Sequence, residues 1–155
     1  MIEIEHLTKE YPNRVAVRDL TFSVAKGEIL GFLGPNGAGK TTTMRMLTGY
    51  LPPTSGRATV AGYDVMAQSL EARKHIGYLP ENVPLYLDMT VQSYLKFQGR
   101  MRGLAGKLLA SRLDYVLQAT HIEDRRHQHI QKLSKGYRQR VGLAQALIHD
   151  PDVLI

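Results

Sequence analysis

Gly34-Pro35-Asn36-Gly37-Ala38-Gly39-Lys40-Thr41-Thr42 fits the pattern G-x-x-x-x-G-K-[ST], and its flanks decide how it folds. Before it, Glu28-Ile29-Leu30-Gly31-Phe32-Leu33 is a short, almost continuous apolar run, which predicts a strand buried on both faces. After it, residues 42–48 read as a helix that Gly49 ends. Strand, glycine loop and helix in that order describe a phosphate-binding loop. Gly34, Gly37 and Gly39 lack a Cβ and tolerate positive φ, so successive N–H groups can converge on phosphate oxygens. The start of the following helix adds partial positive charge at the same point. In such a loop Lys40 reaches the β- and γ-phosphates, Thr41 offers its hydroxyl to Mg²⁺, and Thr42 bonds a further phosphate oxygen.

With 155 residues the chain has room for one domain with a real core. Its 43% hydrophobic and 22% charged residues, without repeats or low-complexity tracts, place it among ordinary globular domains. No apolar run approaches the roughly 18 residues of a spanning helix. Residues 1–5 lack the basic-then-apolar pattern of a signal peptide. The absence of cysteine excludes a disulfide frame and a thiolate metal site, and suits a reducing compartment. Charge is uneven: residues 96–155 hold 11 Lys and Arg against 5 Asp and Glu, whereas residues 1–95 hold 9 of each. A nucleic-acid or anionic-lipid face is one reading of that excess; solvated helix faces and a region meeting phosphates are the other. No aromatic residues interleave the cations as a base-stacking surface requires, which favours the second reading and speaks against nucleic acid.

Residues 1–33 read as strands, with Ile2, Ile4 and Leu7 in the first. Val15 and Val17 lead to Leu20-Thr21-Phe22-Ser23-Val24, whose alternation suits a half-buried antiparallel strand, and Tyr11-Pro12-Asn13 turns the chain between them. Residues 51–56 are a loop, residues 57–61 a short strand ended by Gly62-Tyr63-Asp64, residues 67–73 a helix, and residues 75–79 a strand stopped by Pro80. Beyond, the pattern becomes helical. Thr90 caps a helix that Gly103 closes; Leu109, Leu113, Val116 and Leu117 form the stripe of a second; residues 123–126 are a polar break. A third helix covers residues 136–149, with Val141, Ala144 and Ile148 on its core face, and Asp150-Pro151 breaks it before a buried strand begins at Asp152.

Leu133-Ser134-Lys135-Gly136-Tyr137 opens that third helix, with Ser134 placed as N-cap. With the phosphate loop upstream and Asp150-Pro151-Asp152 downstream, the chain resembles, over its whole length, the nucleotide-binding subunit of ATP-binding-cassette (ABC) transporters, and most of all the ATPases of ABC-2-type exporters. Ser134 and Gly136 match the family's Leu-Ser-Gly-Gly-Gln signature, and Lys135 and Tyr137 depart from it. The resemblance implies an α/β P-loop NTPase fold: a RecA-like core with an antiparallel β subdomain over residues 1–87 and an inserted helical subdomain over residues 88–133. Residues 134–155 return to the core as the signature helix and the start of the Walker B strand, leaving the domain C-terminally incomplete.

The same resemblance assigns roles. Tyr11 stacks on adenine; Gly34 to Thr42 hold the phosphates of ATP; Glu81 stands where the family's Q-loop has glutamine and, with Thr41, is a candidate Mg²⁺ ligand; Ser134 and Gly136 contact the nucleotide of a second nucleotide-binding subunit. The implied partners are that second subunit and a transmembrane permease, at the cytoplasmic face of the cell membrane. The Walker B Asp, the catalytic Glu and the switch His have no counterpart in the sequence. Asp152, at the start of a strand, and His149, on the preceding helix, cannot replace them, and His127 and His129 lack a third metal ligand. The chain as written is therefore expected to bind ATP weakly, to hydrolyse it poorly and, with a central strand open at its edge, to be of low stability. A cytosolic ABC ATPase acting on nucleic acid or ribosomes, and a non-catalytic nucleotide-binding remnant, are the other readings. A GTPase is excluded by the lack of an Asn-Lys-x-Asp stretch.

Overall fold

Alternating apolar residues at the N-terminus form an antiparallel hairpin in the computed structural model, which describes residues 1–155. Strand β1 (Ile2–Tyr11) turns at residues 12–13 into β2 (Arg14–Val24), with Ile2 opposite Val24, Ile4 opposite Phe22 and Tyr11 opposite Arg14. Ile2, Ile4, Leu7, Val17 and Val24 are buried; the alternation set by Ile2 and Ile4 shifts by one at Leu7, where the register slips beside left-handed His6 and Asp19. β3 (Ser55–Val60) pairs with the other edge of β1. Residues 61 and 62 then take positive φ, 53° and 86°, and fold β4 (Tyr63–Asp64) back on β3. The sequence pattern ends the strand at Tyr63 and Asp64; the left-handed pair before them makes a two-residue hairpin turn instead. The resulting sheet has the order β2-β1-β3-β4.

Two helices cover this sheet within the first compact unit, Met1–Ile76 with Ile155. Helix α1 (Lys40–Leu47) buries Met46 and Leu47 and lies against β2 and β3; α2 (Ser69–Lys74) lies against β4. The Asp64 carboxylate fixes the entry to α2 by accepting from the N–H groups of Ala67 and Met66 at 2.9 and 2.8 Å. The Ala67 and Met66 bonds, with Arg57 alongside, hold this carboxyl below its usual range against the opposing effect of burial.

The largest departure from expectation is at residues 28–33. They form no strand, and Ile29 is 98% and Leu33 93% exposed. A doubly covered strand needs ladder partners on its edges and apolar cover on both faces, and no strand of the chain pairs with this one. What holds the segment is local: Phe32 leans on Phe22 with ring centroids 5.8 Å apart, and Ala25 N–H donates to the Glu28 carboxylate at 2.7 Å.

The second unit, Gly77–Leu154, is mainly helical. The strand expected over residues 75–79 shrinks to β5 (Ile76–Gly77), paired with β6 (Val153–Leu154). Helices α3 (Val91–Met101), α4 (Gly106–Ala119) and α5 (Lys135–Leu147) follow the predicted pattern closely. Thr90 Oγ1 accepts from Ser93 N–H at 3.2 Å, and Gly103 ends the first helix at φ 86°. Their shared core comprises Val91, Tyr94, Leu95, Leu113, Val116, Leu117, Val141, Ala144 and Ile148 among others. Burial pushes the Tyr94 hydroxyl up to about 12, so it stays protonated and donates to Gln145 Oε1. Arg112 satisfies the open end of α5: its guanidinium donates to the carbonyls of Leu147 and Ile148 at 2.7 and 3.1 Å and pairs with Asp150 at 3.1 Å.

Each fully buried leucine of α4 contributes roughly 1.5–3 kcal/mol of apolar burial, opposed by the entropy of ordering it. Leu117→Ala leaves a cavity as well, and its expected cost is about 3 kcal/mol of unfolding free energy in urea denaturation. An unchanged midpoint would mean that this stripe is not the centre of the core.

Candidate functional site

The phosphate loop is carried between the exposed segment 28–33 and α1. Gly37 and Gly39 both take left-handed conformations, φ 86° and 88°, and Gly39 is the N-cap of α1. This is the backbone a phosphate cradle requires, since alternation of hand turns successive N–H groups to one side. Lys40 Nζ donates to the carbonyls of Gly34 at 2.6 Å and Pro35 at 2.8 Å, which holds the ammonium at the start of the loop. Thr41 is exposed at the first turn of the helix, Thr42 is half-buried beside it, and Asn36 and Ala38 are exposed in the loop. Thr43 turns inward and donates to the Gly39 carbonyl at 3.1 Å. No Asp or Glu occurs between Glu28 and Asp64, so nothing on this stretch repels an anion.

These donors fit a phosphate chain. They are compatible with Mg²⁺ as well, because that ion keeps water and phosphate oxygens in most of its octahedral positions and needs few protein ligands; the exposed Thr41 hydroxyl is a candidate for one.

The β1–β2 hairpin stands beside the loop in the same unit. Tyr11, at its tip, is 45% exposed with Lys9 Nζ 5.5 Å from the ring centroid. Arg14, its cross-strand neighbour, donates from Nη2 to the Gly37 carbonyl at 2.9 Å. Strand β2 also grips the loop at Gly39, where an added Cβ would lie 2.3 Å from the Ala16 carbonyl oxygen. A cavity of about 310 Å³ lies here, lined among others by Val15, Val17, Arg18, Phe32, Gly37 and Ala38. The pattern-based reading names Tyr11 and the loop but not Arg14. A contact 23 residues away in sequence has no local signature.

The second unit gathers the other candidates. Glu81 lines a cleft of about 540 Å³ with Pro80, Val83, Gly136, Gln139 and Arg140. The loop approaches α5 closely because position 142 is glycine: a Cβ there would meet Val83 Cγ2 at 2.7 Å. Ser134 caps α5 as expected, its hydroxyl oxygen accepting from Tyr137 N–H at 3.4 Å. Tyr137, the signature departure, lies between two cations, with Arg125 at 5.3 Å and Arg140 at 5.5 Å from its ring centroid. Around Gly136 the space is open: a Cβ added there would have no neighbour within 4 Å, so the packing of its own chain does not require glycine.

Residues 17–155 match the family described as ABC transporter. The chain belongs to the ABC transporter family. Among its curated relatives in that family, the probable multidrug ABC transporter ATP-binding protein YbhF of Escherichia coli (strain K12) is 39% identical over 154 residues, covering 99% of this chain and 27% of that protein. The linearmycin resistance ATP-binding protein LnrL of Bacillus subtilis (strain 168) is 37% identical over 155 residues, covering all of this chain and 50% of that protein. The chain thus spans half or less of the length of these relatives. In structure it is similar to cbiO1 from Clostridium perfringens, part of the ABC transporter complex cbiONQ: TM-score 0.86, 28% identity, 99% of this chain and 63% of the other. The α/β P-loop NTPase fold expected from the sequence is therefore the fold of this ABC chain, with residues 28–33 as the local exception. No helix is long and apolar enough to cross a membrane.

Proposed function

We propose that this chain is the ATP-binding part of an ABC exporter subunit. The carrying observation is the complete phosphate loop, with Gly37 and Gly39 left-handed, Lys40 folded onto the loop and no acidic residue near it in sequence. In this reading Tyr11 stacks on adenine, the loop of residues 34–39 wraps the phosphates with its backbone, Lys40 neutralises the β- and γ-oxygens, and Thr41 and Thr42 add hydroxyls. When bound, Mg²⁺ neutralises phosphate charge and fixes the geometry of the chain of oxygens. In the second unit Glu81 stands at the family's Q-loop position, a candidate carboxylate ligand for Mg²⁺ or its water.

The open space at Gly136 supports a second subunit approaching Ser134 and Gly136: a glycine that its own packing does not need leaves room for an incoming phosphate. We assign a permease partner and a position at the cytoplasmic face of the membrane on the strength of the ABC transporter names of two of these relatives. We assign the domain layout in the same way, residues 1–87 and 134–155 to the core and β subdomain, and 88–133 to the helical subdomain that meets the permease. A role on nucleic acid or ribosomes is not favoured, since these relatives are transport proteins.

Calorimetric titration of the chain with ATP, with and without Mg²⁺, tests the site. Thr41→Ala is expected to keep Mg²⁺-free affinity and to lose most of the gain that Mg²⁺ brings, about tenfold. An unaltered chain that binds no ATP, or a Thr41→Ala variant with the full Mg²⁺ gain, would count against the assignment.

A further inference from the structure

We propose that Arg14 is a positioning residue for nucleotide binding, tying the base-stacking hairpin to the phosphate loop. The inference rests on reading residues 34–42 as an ATP phosphate site and Tyr11 as its base platform. Tyr11 and Arg14 are directly opposite across the two-residue turn. Opposite residues of an antiparallel pair project to the same face, so the ring and the guanidinium leave the hairpin on one side. That side is the loop side, because Arg14 Nη2 donates to the Gly37 carbonyl at 2.9 Å.

The bond has two effects. It adds a charge-assisted hydrogen bond between the hairpin tip and the middle of the loop, next to the Ala16–Gly39 contact and apart from the Lys9–Pro52 and Glu10–Thr54 bonds that hold the other strand. It also fixes one peptide plane: with the Gly37 carbonyl turned toward Arg14, the N–H of Ala38 points the opposite way, into the loop, where it meets the Pro35 carbonyl at 3.2 Å. Gly37 is left-handed and would place a Cβ only 3.4 Å from Nη2, so the guanidinium sits close against a residue with no side chain. Gly39 is already held by the backbone of β2 at Ala16. Arg14 thus secures Gly37, a loop glycine whose missing Cβ position meets no backbone atom, and it spaces the adenine platform from the phosphates.

The test is a double-mutant cycle read by ATP titration, using Arg14→Ala, Tyr11→Ala, the double variant and Arg14→Lys in the 155-residue chain. Arg14→Ala is expected to weaken ATP about five- to tenfold with the thermal midpoint within about 2 °C of the unaltered chain, because the lost bond is exposed. Tyr11→Ala is expected to weaken it about tenfold. The double variant should lose little more than the worse single one, since a platform without its tether is already misplaced. Arg14→Lys, which keeps a donor but not the fork, should recover part of the loss. Inorganic tripolyphosphate, which has no base, should be unaffected by Tyr11→Ala and should lose clearly less affinity than ATP does on Arg14→Ala.

Unchanged ATP affinity in Arg14→Ala, or two single losses that multiply in the double variant, would overturn the tether. Lys40→Ala serves as the control for the site itself: if it binds ATP like the unaltered chain, the phosphate-loop reading fails, and the tether with it.

Discussion

Replacing Gly39 by alanine is expected to abolish ATP binding and to lower stability by about 2–5 kcal/mol. Two independent penalties meet at this residue. Its φ of 88° lies in the left-handed region that side chains resist, and its missing Cβ position falls 2.3 Å from the Ala16 carbonyl oxygen and 2.9 Å from Val17 Cγ2. Both obstacles belong to β2, which is paired along its length with β1, so neither can yield without moving the hairpin. The loop has to move instead, and with it the N-terminus of α1. Urea unfolding and ATP titration on the same preparation would show both losses; a variant with normal stability and affinity would mean that the loop has slack the structure does not reveal.

Lys40→Ala should separate affinity from stability. Its ammonium bonds two carbonyls of the exposed loop, Gly34 and Pro35, which solvent can hydrate in its absence, so the unfolding midpoint should change little. ATP affinity should fall about 100-fold or more, because the β- and γ-oxygens lose a charged donor that no neighbouring side chain on residues 29–44 replaces. A loss below about threefold would sink the reading of residues 34–42 as an ATP phosphate site.

These expectations follow from a motif that the sequence displays plainly, and the reason is local. A phosphate loop needs glycines, a lysine and a hydroxyl at fixed offsets, all within a short stretch of chain. The helices are equally legible: the stripe of Leu109, Leu113, Val116 and Leu117 is buried as its spacing demands, and Thr90 and Ser134 cap the helices they precede. What escapes a sequence reading depends on distant residues. The apolar run 28–33 has the composition of a covered strand, but a strand exists only where other strands meet it, and its own residues cannot say whether they do. The hairpin at Ala61 and Gly62 is hidden for a different reason, since alanine rarely adopts the left-handed conformation that the turn imposes on it. Arg14 and Gly142 are invisible because they act through residues far from them in sequence, Gly37 for the first, Val83 and Leu79 for the second.

Helix α5 is capped at one end by its own Ser134 hydroxyl and fastened at the other, within its own unit, by the Arg112 guanidinium. A helix of 13 residues so secured behaves as a stiff rod about 20 Å long. Leverage follows from that length. A tilt of about 10° applied at the Arg112 end carries the Ser134 end through about 3 Å, a whole hydrogen-bond length. Arg112 stands on α4, so its bond couples one end of the rod to the α3–α4 pair, while Gly136 leaves open space at the other.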